Sequence, residues 1–162
     1  MNRTPPPRSG PKAFDVTVIR SCCAGPLELH NCVPSGYCLS RARLRHLRES
    51  ERIVVTDASV PVGLAAYKRA DGEIRVAHEF LLDGSLSGTD TTTVTDVLLS
   101  AIEMVAYDDS VSCLTFLLRN GVVIEPFERR GYMSLVLDCQ GIWLQRKLGW
   151  PGWCESRSEY PS

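Results

Sequence analysis

The sequence of 162 residues has little net charge and no long apolar run. Its formal net charge is −1, so no overall field attracts nucleic acid or an acidic membrane surface. A membrane-spanning helix needs roughly 18 or more consecutive apolar residues, and no segment approaches that length. We therefore predict neither a nucleic-acid partner nor a membrane partner.

The sequence also lacks the cysteine spacing of a disulfide framework, although it has seven cysteines. Five potential zinc ligands lie near one another in the chain: Cys22, Cys23, His30, Cys32 and Cys38. They include no Cys-x-x-Cys pair, and adjacent cysteines chelate one ion poorly, so we predict no metal site. Residues 1–12 are proline-rich and basic and contain no apolar segment, so they do not resemble a secretory signal. We therefore predict a cytoplasmic protein.

What the chain does have is an ordinary globular composition, with 44% hydrophobic and 23% charged residues. Its length matches the commonest size of one domain, which can bury a core without metals or disulfides. We predict a disordered, proline-rich tail at residues 1–13, one domain at 14–148 and a C-terminal tail at 149–162.

Apolar and β-branched runs indicate a sheet. They predict strands at residues 14–20, 53–57, 62–68, 73–82, 112–118, 132–138 and 142–146. The turn signal Ala70-Asp71-Gly72 makes the middle strands an antiparallel meander. The predicted fold class is α/β in the broad sense and α+β in detail: a single domain with a mixed, mostly antiparallel sheet of about seven strands flanked by helices.

Two shorter helical segments accompany this sheet. Residues 39–52 are rich in good helix formers, and either Ser35 or Ser40 is suited to cap them. Residues 120–130 predict a short helix that ends at Gly131.

The clearest helical pattern follows a polar loop at residues 83–93. Apolar residues recur at helical spacing from Val94 to Val105, and Thr93 with Asp96 fits a capping box. A strand precedes this helix and a buried strand follows it. We therefore predict a β-α-β unit whose two strands are parallel.

One segment resembles a signature of the GNAT superfamily of N-acetyltransferases: Asn120-Gly-Val-Val-Ile-Glu-Pro-Phe127-Glu-Arg-Arg-Gly131-Tyr132. That signature has an Asn after the fifth strand, a Tyr seven positions later, an acidic-basic pair and then a Gly-aromatic pair. The order of elements matches over roughly residues 14–147. The resemblance implies an acyl-coenzyme A N-acyltransferase-like fold in which the fourth and fifth strands splay apart and acetyl-coenzyme A or another acyl-coenzyme A lies between them.

The resemblance also implies where the acyl donor would bind. The predicted contacts are Leu82, Ser85, Ser87, Gly88, Thr93, Thr95 and Asn120. Small side chains and hydroxyls make residues 84–93 suited to anion binding, although a flexible, capped loop explains the same composition. For Asn120 the alternative is a plain turn with Gly121.

Two departures from the family pattern, in the phosphate loop with its carboxylates and at Phe127, bear on activity. Setting Leu98-Leu99 on the usual hydrophobic pair puts Thr93 and Thr95 where the family has glycines. Phe127 stands where many members have a tyrosine that protonates the leaving thiolate, and phenylalanine has no proton to donate. Three carboxylates without a neighbouring basic residue would repel a bound anion: Asp83, Asp90 and Asp96.

Three side chains are candidates for catalysis. Glu79 is a candidate base, with an exposed strand carboxylate as the favoured alternative. His78 shares a strand face with Phe80 and Leu82, so a core histidine is the favoured alternative. Tyr132 is predicted to pack in the sheet, and its candidacy for catalysis depends on the alternative that its hydroxyl reaches the cleft. Tyr37 and Tyr67 are weaker donor candidates.

The first functional hypothesis is an N-acyltransferase that moves an acetyl or other acyl group from acyl-coenzyme A to a small-molecule or peptide amine. The second is a non-catalytic GNAT-like ligand-sensing or protein-binding module that has lost coenzyme A binding. The arginines of residues 39–52 either favour an acidic acceptor or form a solvated face. Assembly as a homodimer is left open.

Overall fold

The computed structural model describes residues 13–20, 29–119 and 122–149. Within them lie ten elements: β1 (Asp15–Ile19), α1 (Arg41–Arg48), β2 (Glu51–Asp57), β3 (Val60–Ala70), β4 (Glu73–Leu82), α2 (Gly88–Asp108), β5 (Cys113–Leu118), α3 (Glu125–Arg129), β6 (Met133–Asp138) and β7 (Gly141–Lys147). The predicted tails lie almost entirely outside the described residues. No helix in the described part is both long and apolar enough to cross a membrane.

The seven strands form one sheet in the order β1-β2-β3-β4-β5-β7-β6. Only β4 and β5 are parallel neighbours, and α2 connects them, which confirms the predicted β-α-β unit. Every other neighbouring pair is antiparallel. The predicted α+β class with a mixed, mostly antiparallel sheet of seven strands is confirmed.

Turn chemistry sets the register of the central meander. Ala58 and Ser59 have positive φ angles of 48° and 69°, and Asp71 and Gly72 have 48° and 75°. Two consecutive left-handed residues are the geometry of the two-residue turn that matches the twist of antiparallel strands. The turns therefore join β2 to β3 and β3 to β4 without longer loops, as predicted for Asp71 and Gly72.

The helices divide between the two faces of the sheet. α2 and α3 cover one face, where the larger hydrophobic core lies, and α1 packs over a smaller core on the other. The smaller core contains Leu29, Cys32, Leu47, Val54, Leu64, Ala66 and Leu81. Because β-strand side chains alternate between faces, consecutive residues of β4 enter different cores.

The helix predicted at 39–52 is shorter than expected. Ser40 caps it by accepting a hydrogen bond from the N–H of Arg43 at 3.3 Å, and α1 ends at Arg48. The Ser50 hydroxyl donates to the carbonyl of His46, and the buried guanidinium of Arg52 donates to the carbonyl of Leu47 at 3.0 Å. These bonds give hydrogen-bond partners to main-chain carbonyl groups at the end of α1, and they hold Arg52, which belongs to β2, against the helix.

The predicted start of the long helix is wrong by almost two turns. α2 begins at Gly88, and Ser87 caps it by accepting a hydrogen bond from the N–H of Asp90 at 3.1 Å. The predicted capping box at Thr93 is therefore wrong as well. Thr93 donates its hydroxyl to the carbonyl of Thr89 at 3.0 Å, a bond that accommodates threonine inside a helix.

Candidate active site

Backbone pairing between β4 and β5 is lost towards the end of the sheet where α2 begins, and we call this unpaired stretch the gap. Their parallel pairing runs from Glu73 with Cys113 to Val76 with Phe116. β4 continues to Leu82, whereas β5 ends at Leu118 and pairs with β7 over its whole length. This loss of pairing is what the family resemblance predicts for the fourth and fifth strands.

The first turn of α2 faces this end of the sheet. Residues 83–87 join β4 to the helix, so the backbone N–H groups at the helix start lie next to the end of β4. A Cβ atom placed on Gly84 or on Gly88 would meet nothing within 4 Å. The loop therefore leaves room beside N–H groups that carry the positive end of the helix dipole, which is the arrangement that binds anions.

The carboxylates around this loop oppose an anion less than the sequence predicts. Asp83 accepts hydrogen bonds from the N–H and the hydroxyl of Ser85, at 2.9 Å and 2.8 Å. Asp96 lies about two turns into α2, 3.5 Å from the guanidinium of Arg130. Only Asp90 stands in the first turn of the helix.

Thr93 and Thr95 do not stand at the start of the helix. As interior residues of α2 they use their backbone N–H groups within the helix. Thr95 is buried and donates its hydroxyl to the carbonyl of Thr91, while Thr93 lines a groove beside β1. Thr93 and Thr95 were predicted as donor-binding residues on the assumption that they lie at the start of the helix, and that assumption is wrong. Ser85, Ser87 and Gly88 do lie in the loop before α2 or at its start.

Glu79 is buried, so the expectation of an exposed strand carboxylate is wrong. Both of its oxygens accept hydrogen bonds from the guanidinium of Arg43, at 2.8 Å and 2.7 Å. The hydrogen bond to this carboxylate is the main reason that the pKa of Arg43 is raised above its ordinary value. A carboxylate held by two charge-assisted bonds has its basic lone pairs engaged, so Glu79 is placed as an anchor between β4 and α1.

The role of Arg43 was not predicted from the sequence, and Tyr37 was predicted only as a weaker donor candidate. Arg43 lies four residues before Leu47, which is buried, so the two side chains share a face of α1, and that spacing is the signal. Tyr37 donates its hydroxyl to the carbonyl of Leu82 at 2.8 Å and is 41% exposed. It is a hydroxyl at the end of β4, beside the gap, and no periodic pattern in the sequence places it there.

An aromatic cluster occupies the α2 and α3 side of the gap. Phe127 is fully buried, with ring centroids 5.5 Å from Phe80, 5.2 Å from Phe116 and 5.6 Å from Tyr132. Each pair meets edge to face, a favourable geometry for aromatic rings. Phe80 lies beyond Val76, the last residue of β4 that pairs with β5, so its contact with Phe127 fills space beside the unpaired stretch on that side.

The hydroxyl of Tyr132 is engaged on the same side. It donates to a carboxylate oxygen of Glu103 at 3.2 Å, and Glu103 also binds Arg130 at 2.6 Å and Arg146 at 2.9 Å. Burial is the main cause of a pKa of Tyr132 well above its usual range. Tyr132 packs against the sheet as predicted, and its hydroxyl is directed to α2.

Two predicted site residues cannot be located. Asn120 lies outside the described residues, and the side chain of His78 does too, although its backbone belongs to β4. Cys22 and Cys23, two of the five potential zinc ligands in the sequence, also lie outside the described residues. Among the described residues, no three His, Cys, Asp or Glu side chains are grouped as they would be around a metal ion.

Comparison with solved structures identifies the fold. The structure is similar to the PaiA N-acetyltransferase from Thermoplasma acidophilum in complex with coenzyme A, with a TM-score of 0.60 and 8% identity over 84% of this chain and 99% of that one. The ribosomal-protein-S18-alanine N-acetyltransferase from Escherichia coli gives 0.65 and 11% over 87% and 97%. A GNAT-family acetyltransferase from Staphylococcus aureus gives 0.62 and 9% over 85% and 100%.

The chain therefore has the GNAT superfamily fold, the acyl-coenzyme A N-acyltransferase fold expected from its C-terminal segment. No protein-family model matches the sequence, and no curated protein matches it. At identities of 8% to 11%, the structural likeness establishes the fold alone.

Proposed function

We propose that this protein is an N-acyltransferase that moves an acetyl or other acyl group from acyl-coenzyme A to a small-molecule or peptide amine. The observation that carries the proposal is the gap between β4 and β5, which opens beside the start of α2. A slot with main-chain donors at one end suits a long donor that has a diphosphate, amide groups and a reactive thioester.

Two parts of the chain would hold the donor. The loop at residues 84–88 and the first N–H groups of α2 would receive the diphosphate, because Gly84 and Gly88 leave open space there. The backbone of β4 beyond Val76 has no partner on the β5 side in the described residues. Amide groups of a ligand can hydrogen-bond to such a strand as a neighbouring strand does.

Positioning would supply most of the rate enhancement. A bound near-attack geometry contributes about 7 kcal/mol or more to lowering the barrier. Glu79 is held by Arg43 and is not assigned as the base. Tyr37 is the hydroxyl placed beside the end of β4, and it is the candidate to protonate the leaving thiolate, since Phe127 has no proton to donate. To do so it would have to release the carbonyl of Leu82, to which it donates in this structure.

A second function is favoured by the aromatic cluster. Phe80 and Phe127 fill the α2 and α3 side of the gap, which is the arrangement expected of a GNAT-like module that senses another ligand or binds protein and has lost coenzyme A binding. The two functions differ in one measurable property, which is the affinity for coenzyme A.

Thermal unfolding with and without millimolar acetyl-coenzyme A separates them. A ligand at 100 times its dissociation constant stabilises a protein by about 2.7 kcal/mol. Gly88→Glu should weaken donor binding at least about tenfold, because it adds a carboxylate to the first turn of α2. Met104→Glu makes the same charge change on an exposed position of α2, roughly 24 Å along the helix, and should leave binding unchanged.

If acetyl-, propionyl- and longer acyl-coenzyme A all fail to shift the unfolding temperature, the transferase proposal is refuted and the non-catalytic module remains. Where binding is seen, release of free thiol with mixtures of amines and peptides, together with mass detection of the acylated amine, tests turnover. Tyr37→Phe should then lower the maximal rate and leave donor affinity unchanged. Equal rates would remove Tyr37 as the acid.

A further inference from the structure

A groove of about 550 Å³ runs between β1 and α2, on the sheet face that carries the larger core. Most of its lining is apolar, and three of the side chains are well exposed: Val16 at 42%, Val18 at 40% and Met104 at 66%. β1 is an outer strand of the sheet, and β2 and β3 separate it from β4. The groove is therefore separate from the gap and from the loop at residues 84–88.

The charges of the groove favour a cationic ligand. One basic and two acidic residues line it: Arg20, Asp96 and Asp108. The guanidinium of Arg20 is 3.4 Å from the carboxylate of Asp109, and Asp96 is 3.5 Å and 3.7 Å from two arginines at the end of α3. Asp108 therefore adds a negative charge at the end of the groove where β1 ends. An apolar ligand that carries a positive charge complements this surface.

The chain enters β1 at the opposite end of this groove. The pairing of β1 with β2, and of β3 with β2 and β4, places the start of β1 at the end of the sheet where α2 begins. Phe14, directly before β1, packs against the larger core. Val16 and Thr93 are the groove residues nearest this end. Residues 1–12, which lie outside the described residues, therefore precede β1 next to the groove.

The length of this N-terminal segment matches the groove. Residues 9–12 read Ser-Gly-Pro-Lys, and the Gly-Pro pair is a turn signal that would reverse the chain just before β1. Along α2 the groove extends from Thr93 to Asp108, which is about 22 Å at the rise of an α-helix. Eight residues in a polyproline conformation cover about 25 Å. Residues 1–8 are thus long enough to follow the groove to its far end.

We propose that residues 1–8 bind in this groove, folded back against β1 and α2 of the same chain. Prolines at positions 5–7 pack on its apolar centre. Proline has no N–H group, so this part of the segment is buried without leaving backbone donors unpaired. The bound segment covers the exposed valines of the outer strand and holds α2 against β1.

The two arginines of the segment complete the match. Residues 1–8 contain Arg3 and Arg8 and no acidic residue. In a polyproline conformation Arg3 lies about 16 Å from Arg8. When Arg8 lies at the end of the groove next to Thr93, Arg3 therefore reaches the end that Asp108 lines.

The other occupants available from this chain fit the groove less well. The C-terminal segment, residues 150–162, has two acidic residues and one basic residue, and it follows β7, five strand positions or about 24 Å from β1. The N-terminal segment of a second copy has the right chemistry. A segment tethered by a short turn, however, has an effective concentration of about millimolar, so it binds ahead of another copy at micromolar protein.

Trypsin digestion of the full chain at micromolar concentration tests the proposal, with the rate of cleavage after Arg8 as the readout. Val18→Lys adds a like charge to the groove and should speed this cleavage at least about tenfold, because cleavage follows the population of the released segment. Thr17→Lys is the matched control, since Thr17 is also exposed but points to the opposite face of β1. Cleavage after Arg157, which like Arg8 precedes a serine, is the reference in the same digest.

Acceleration after Arg8 in Val18→Lys alone supports the proposal. Equal rates after Arg8 in the wild type and in Val18→Lys, or equal acceleration by Thr17→Lys, overturn it. Acceleration after Arg157 instead would place the C-terminal segment in the groove, and protection of Arg8 that is lost on dilution would indicate a second copy. Either outcome also overturns the proposal.

A variant outside the folded domain provides a second measurement. The chain has three methionines, so methyl NMR of labelled methionine gives few signals. Pro6→Glu should shift the methyl signal of Met104, which lines the groove, and leave that of Met133 on β6 unchanged. A Met104 signal identical in the wild type and in Pro6→Glu would refute binding of the segment even if Val18→Lys failed to fold.

Discussion

At one end of the sheet β4 and β5 are joined through backbone hydrogen bonds, whereas at the other end they part. The closed end is tied further by the N–H of Ser112, which donates to the carbonyl of Gly72 at 2.8 Å. There Arg69 also bridges strand and helix, pairing with Glu51 at 2.5 Å and with Asp109 at the end of α2. The strands at this end are therefore fixed by backbone hydrogen bonds together with the ion pairs of Arg69.

At the open end, side chains replace the missing strand ladder. Two consecutive residues of β4 point to opposite faces, and each is anchored to a different helix. Phe80 packs against Phe127 of α3, and Glu79 is bound by Arg43 of α1. The comparison teaches that a strand can lose backbone pairing with its neighbour and stay in place if side chains on both of its faces contact other elements. The backbone groups on the unpaired side are then available to a ligand.

Phe127→Ala should have the largest effect, because it removes the ring that holds the aromatic side of the open end. Truncating a buried phenylalanine costs about 3–5 kcal/mol of unfolding free energy. Urea unfolding followed by circular dichroism measures the loss. Tyr107→Ala is the control, since that ring is 63% exposed and should cost far less. Equal costs for the two variants would show that the cluster does not support the open end.

The polar anchor of the open end should come second. Arg43→Ala leaves the carboxylate of Glu79 buried without its partner, at a cost of roughly 2–3 kcal/mol, less than for a fully buried pair because Arg43 is partly exposed. Urea unfolding of Arg45→Ala, an exposed arginine of the same helix, provides the control. Adding Glu79→Gln to Arg43→Ala should recover part of the loss. Strictly additive costs would show that the pair is not coupled.

The closed end and the strands were far easier to predict from sequence than the open end. β4 was predicted with its observed bounds, because the turn at Asp71-Gly72 and the polar loop delimit it. The start of α2 was misplaced since its first residues, Gly88 to Thr93, carry no apolar side chain, and periodicity first appears at Val94. The pattern Ser87-x-x-Asp90 was the cap signal that could have corrected this.

The burial of Glu79 could not be predicted from strand alternation. Alternation correctly places Glu79 and Phe80 on opposite faces of the sheet. The face with Glu79 is shielded from water only because α1 packs there and brings Arg43. Two partners 36 positions apart in sequence meet through tertiary packing, which no local pattern encodes. The same holds for the hydroxyl of Tyr37, which reaches the carbonyl of Leu82 from a loop.

Ser87→Ala tests the helix start at the open end. Removing the hydroxyl that accepts from the N–H of Asp90 should cost about 1 kcal/mol of unfolding free energy. Ser35→Ala is a suitable control in the same urea measurement, because Ser35 is an exposed loop serine that caps none of the described helices. A cost for Ser87→Ala no larger than for Ser35→Ala would contradict the observed start of α2.

The smallest effect is expected at the closed end, from Asp109→Asn, and it should depend on pH. The hydrogen bond from Arg69 is the main cause of a pKa of Asp109 below its ordinary value of 3.8. A carboxyl group with a depressed folded-state pKa stabilises the fold above its unfolded pKa and loses that stabilisation as the pH falls through the folded value. At neutral pH the variant should therefore lose up to about 1 kcal/mol, and the difference from wild type should shrink as the pH falls below the ordinary value of 3.8 and through the lowered pKa of the folded state. Asp108→Asn, the same charge change one residue earlier, is the control, and a pH-independent difference for Asp109→Asn would show that the ion pair with Arg69 does not secure the closed end.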